Sequence, residues 1–140
     1  MKRVLVLNLL SLFFILSSCG TSDQEENKAL RESVIAVHDE VMPLMSKIKS
    51  MEAKAIKTAE DLEAMEDTDI QKVEELKALA YDLNQAYEGM FVWMRQYERE
   101  DGDRSPEEVK AYLEDQLLKV QVVNENITAA LSKADELLEN

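Results

Sequence analysis

Glycine, proline and cysteine are almost missing from this chain of 140 residues, which carries three Gly, two Pro and one Cys. A β-sandwich needs a turn about every 8 to 12 residues, and a dinucleotide-binding fold needs a Gly-rich loop, so neither can be assembled from so few turn formers. One Cys excludes an internal disulfide framework or a Cys-based zinc site, and one His excludes a His-rich metal site within a single chain. Basic residues are also scarce: 16 Lys and Arg stand against 29 Asp and Glu, a net charge of −13. A surface this acidic repels phosphate, so no nucleic acid is expected as a partner. No GxSxG, P-loop, HExxH or CxxC run occurs, and with one His and no free Cys, the single Cys lying directly after the N-terminal apolar run, the usual base and nucleophile pairs cannot be assembled. No enzyme activity is therefore expected. The run Glu100-Asp101-Gly102-Asp103 is too short for a calcium loop.

What is present begins with the N-terminus. Lys2 and Arg3 precede an apolar stretch over residues 4–16, interrupted only by Asn8 and Ser11, and Ser17, Ser18 and Cys19 follow. The apolar run is about 13 residues, short of the roughly 20 a membrane span needs, and reads as a signal peptide. Leu16-Ser17-Ser18-Cys19 resembles the bacterial lipobox, position by position. The resemblance implies cleavage before Cys19, lipidation of its thiol and amine, and attachment to the lipid bilayer through several acyl chains. Gly20 stands where an Asp would signal inner-membrane retention, so the outer membrane is expected. Loss of residues 1–18 leaves 14 Lys and Arg against 29 Asp and Glu, a net charge of −15. Thr21-Ser22-Asp23-Gln24-Glu25-Glu26 then reads as an acidic tether.

The remainder predicts an all-α fold. Leu30, Val34, Val37, Val41, Leu44, Ile48, Met51, Ala55, Thr58, Leu62 and Met65 recur at threes and fours, the spacing of one helix face. Pro43 lies within this pattern and removes an N–H from the helical ladder, which predicts a kink. Thr68 with Gln71 has the form of a capping box. A second stripe, Val73, Leu76, Ala80, Leu83, Tyr87, Met90, Met94 and Tyr97, leads to Asp101-Gly102, where Gly can close the helix. Ser105-Pro106-Glu107-Glu108 then supplies a cap, a first-turn Pro and a reciprocal Glu. The third stripe runs Val109, Leu113, Gln116, Val120, Val123, Ile127, Leu131, Ala134 and Leu138. Short links make neighbours antiparallel. The expected organisation is a signal peptide at 1–18, a lipidated Cys and tether at 19–28, and an up-down-up three-helix bundle at 29–140, with helices near 29–66, 69–100 and 106–139.

One constellation could carry chemistry. His38, Met42 and Met45 follow one line on the first helix, and folding about a turn near residue 67 sets Met90 and Met94 opposite them. Thioethers and an imidazole form a soft ligand set suited to Cu(I). Trp93, Phe91, Tyr97 and Tyr112 would surround it. Methionines filling gaps beside a kinked helix, with His38 at the rim, is the competing reading.

The fragments His38-Asp39-Glu40-Val41-Met42-Pro43-Leu44-Met45 and Met90-Phe91-Val92-Trp93-Met94-Arg95-Gln96-Tyr97, with Tyr112-Leu113 beyond, resemble a family of small Bacteroidota lipoproteins often labelled "viral A-type inclusion protein". The shared pattern is an HDxxMPxM run on the first helix and a WM followed by an aromatic on the second. Leu44 departs from the polar residue usual there. The resemblance implies no enzyme activity and adds interest to the His38 and Met line.

Two functions remain open. One is a membrane-anchored helical bundle that engages another envelope protein or peptide. The other is a lipoprotein that holds Cu(I), or haem with His38 and one Met as axial ligands, between the first two helices; no CxxCH motif exists for covalent haem attachment.

Overall fold

A computed structural model of the chain describes residues 19–138, with side chains from Ser22 onward. The expected signal peptide at 1–18 and the Cys19 side chain lie outside the described residues. Four α-helices follow one another: α1 (Cys19–Val41), α2 (Met45–Glu63), α3 (Ile70–Gln96) and α4 (Pro106–Leu138). A single 3-10 turn, Met42–Leu44, joins α1 to α2.

That turn is the local answer to Pro43. The ring removes one ladder donor and opposes the carbonyl four residues back, so the chain tightens and Met45 donates its N–H to the carbonyl of Met42. Val41 at φ −99° and ψ −19° and Leu44 at φ −82° and ψ −13° stay right-handed. The helix is interrupted without being ended, and α1 and α2 form one rod.

Three boundaries differ from the sequence expectation. Residues 19–28 are helical rather than a tether. Asn27 is buried and donates from Nδ2 to the carbonyl of Pro106 at 2.9 Å, and Glu26 pairs with Lys110 at 2.6 Å, so contacts to α4 fix this end. The cap of α3 is Asp69, which accepts from the Lys72 N–H at 3.0 Å, while Thr68 donates to the carbonyl of Met65 at 2.7 Å. Finally α3 ends at Gln96, short of Gly102. Tyr97 turns extended, at φ −74° and ψ 120°, and stacks between Trp93 and Tyr112. Gly102, at φ +61°, instead opens a turn closed by Arg104 N–H on the carbonyl of Asp101 at 3.3 Å.

The Ser105 box forms as the sequence predicts. Ser105 N–H donates to Glu108 Oε2 at 2.8 Å, and Glu108 N–H donates to Ser105 Oγ at 3.3 Å. Two donors that a helix start leaves open are thereby satisfied.

Topology follows from cross-links between rods. Lys77 with Glu63 at 2.6 Å and Asn84 with Glu52 at 3.3 Å set α3 antiparallel to the first rod. Lys110 with Glu26, Asn124 with Glu40 at 3.3 Å and Lys47 with Asp135 at 3.0 Å advance together, so α4 runs parallel to it. The result is an up-down-up three-helix bundle. Its inner faces meet in Val34, Ile48, Leu79, Leu83, Met90, Val120 and Ile127, all fully buried. A smaller cluster of Ala59, Val73 and Leu76 closes the end at the first turn. Burying each large aliphatic side chain contributes about 1.5 to 3 kcal/mol, which holds together helices that are marginal alone. Both clusters are built from residues between Val34 and Leu138, so the chain from Ser22 onward contains the whole described core.

Candidate functional site

The fold brings only part of the His and Met line together. Met45 and Met90 are 7% and 0% exposed and belong to the main core, and Met42 packs on that core from its edge. His38 sits at the rim, its ring 5.8 Å from that of Trp93, with Nδ1 2.8 Å from Asp39 Oδ1. Met94 is 37% exposed and lies outside the core. The reason is the phase of α3. Its buried positions run Leu83, Ala86, Met90 and Trp93, which carries the indole inward and leaves Met94 on the flank. Among the described residues, no three His, Cys, Asp or Glu side chains converge where a metal ion could be held.

The aromatic residues expected around that line do assemble, in a different arrangement. His38, Trp93, Tyr97 and Tyr112 form a column, with ring centroids 5.8, 5.1 and 6.3 Å apart. The Arg104 guanidinium covers its outer end, 4.6 Å from the Tyr112 centroid. Phe91 is drawn aside and packs on Tyr87 at 4.8 Å. The column links all three rods: His38 comes from α1, Trp93 from α3 and Tyr112 from α4. Tyr112 Oη also accepts the Glu98 N–H at 2.6 Å, and Arg31 donates to Tyr97 Oη at 3.4 Å and to the carbonyl of Arg99 at 2.9 Å. These polar contacts fasten the loop that follows α3. The indole N–H of Trp93 is buried without an acceptor.

A feature that the stripes did not reveal lies along α3 and α4. Where α3 and α4 face away from the first rod, an open seam runs between them. At one end it is a cleft of about 430 Å³ lined by Gly89, Val92, Trp93, Gln96, Leu118, Lys119, Val122 and Val123. Beyond Gly89 it continues between Gln85 and Ala86 on α3 and Asn126, Ala129 and Ala130 on α4, as far as Asp82 and Lys133. Val92, Leu118 and Val122 are 41%, 66% and 54% exposed here. The sequence does carry a trace of this: Leu118 and Val122 form an apolar pair, four apart, off the core stripe.

The two lysines of the seam are paired. Lys119 is held by Asp115 at 2.6 Å, and Lys133 reaches across from α4 to Asp82 at 2.8 Å. Elsewhere, the hydrogen bonds that Lys77 and Lys110 donate to Glu63 and Glu26 raise the pKa of each ammonium group above the usual lysine value. Among the described residues no helix is long and apolar enough to cross a membrane.

No family model matches the chain, no curated protein matches it, and no solved structure matches it.

Proposed function

We propose that this protein is a non-enzymatic binding module of the bacterial envelope, held at the outer membrane by acyl chains on Cys19. The observation that carries the binding role is the seam between α3 and α4, where apolar side chains face solvent although both helices have a full inner core. The leader and its Leu16-Ser17-Ser18-Cys19 motif support the location. A bundle mounted in this way would stand clear of the bilayer, and its acidic surface would be repelled by anionic headgroups. Its work would be to hold another envelope protein without any change of covalent bonds.

The anchoring is tested by Cys19→Ser. The wild type should incorporate labelled fatty acid and sediment with outer membranes, and the variant should do neither. A variant that still does both removes the lipobox from the reading.

A second reading, a Cu(I) site, draws on His38 and Met42 beside the 3-10 turn. It ranks lower because Met45 and Met90 are enclosed by the apolar core and Met94 points away from it.

A further inference from the structure

We propose that the seam between α3 and α4 is a docking groove for one amphipathic helix of a partner protein, a helix whose apolar stripe is flanked by lysine or arginine. This rests on the binding-module reading and names the kind of partner. The groove extends over residues 82–96 of α3 and 118–133 of α4, roughly 20 Å along each helix. Two antiparallel helices with a furrow between them form the cradle into which a fourth helix packs in a bundle.

Its floor allows close approach. A Cβ built on Gly89 meets nothing within 4 Å, so the centre of the groove is empty space and not a gap filled by a neighbour. Ala86, Ala129 and Ala130 continue this low floor. The apolar wall of Val92, Leu118 and Val122 gives the occupant something to bury, in the manner of helix-in-groove recognition.

Charge decides between occupants. A second copy would bring one domain of net charge −15, counted over residues 19–140, against another. Among the described residues a basic flank meets no free cation in the groove, since Lys119 and Lys133 are each held by a carboxylate, and is drawn in by the acidity of the whole domain.

The test uses the domain from residue 22 to 140 and a synthetic peptide of about 14 residues, long enough as a helix to span the groove. The peptide carries leucines at i, i+3, i+4 and i+7 with lysines beside them. A scrambled peptide of equal charge and composition, lacking the stripe, is the comparison. The striped peptide should bind saturably and the scrambled one at least about tenfold more weakly. Gly89→Leu fills the floor and Leu118→Lys puts a like charge on the wall. Each should weaken binding about tenfold or more without lowering the Tm, because neither site packs into the core and Leu in place of a mid-helix Gly favours the helix. Equal binding of both peptides, or no effect of either substitution, overturns the groove. So does a domain that is dimeric by sedimentation and made monomeric by Leu118→Lys, which would make a second copy the occupant. Fractionation of the Cys19→Ser variant reads the anchoring independently, so the two ideas fail separately.

Discussion

Gln116 lies on the core stripe of α4 and is 5% exposed, yet its Oε1 has no hydrogen-bond partner. Its amide nitrogen reaches Asp115 at 3.2 Å, which leaves the acceptor desolvated without compensation. Gln116→Met keeps the length of the side chain and removes the orphan. It should stabilise the fold by about 1 kcal/mol, a rise of roughly 4 °C in Tm. A lower Tm would mean that the amide makes a contact on which the core depends. Met90 is the opposite case, fully buried among apolar neighbours. Met and Leu are close in volume, so Met90→Leu should cost less than about 1.5 kcal/mol, whereas Met90→Ala opens a cavity and should cost about 2 to 5 kcal/mol. The same logic separates packing from metal chemistry. In competition with a Cu(I) chelator under reducing conditions, the wild type and a Met42→Leu, Met94→Leu pair should behave alike. Tighter binding by the wild type would move the Cu(I) reading to first place.

The start of α4 is where sequence and structure agree most closely, because a cap is a local device. Ser105→Ala removes the oxygen that accepts the Glu108 N–H and should cost about 1 kcal/mol, seen as an earlier midpoint in urea. If the midpoint does not move, the first turn of α4 is held by tertiary contacts instead. The three stripes were legible for a similar reason: spacing at threes and fours is imposed by the helix itself. The fold about a turn near residue 67 was legible too, since Glu63 meets Lys77 and Glu52 meets Asn84. What the spacing does not encode is the rotational phase of one helix against another. Met94, four residues after buried Met90, therefore looked like a core residue and is on the flank. The end of α3 was hidden for a different reason. Tyr97 leaves the helix because partners distant in sequence, Arg31 and Tyr112, hold its ring and its loop. The acidic stretch before Lys28 gives no apolar signal, and its helix depends on contacts of Glu26 and Asn27 with residues about eighty positions away.

For the molecule as a whole, charge and topology set the behaviour. Its ion pairs are largely solvent-exposed, such as Lys57 with Asp61 and Lys119 with Asp115, and each contributes little. The uncompensated acid acts over longer distances, with a screening length of about 30 Å at 0.01 M salt and about 8 Å at 0.15 M. Added sodium chloride should therefore raise the Tm of the domain by weakening its self-repulsion. A Tm that falls with salt would show the pairs to outweigh the repulsion. The parallel course of the first rod and α4 carries a mechanical consequence. Residue 19 and Leu138 lie at opposite ends, with the carbonyl of Leu138 tied to Lys54 at 2.9 Å and that of Leu137 to Lys72 at 3.3 Å. Tension between the two ends slides one rod along the other in shear, and all the interdigitated side chains must give way together. Tension between residues 19 and 103, which share one end, instead peels the rods apart a turn at a time. Optical-tweezer measurements should find a higher unfolding force for the first geometry, so a partner pulling from the far tip would meet the stiffest direction of the bundle.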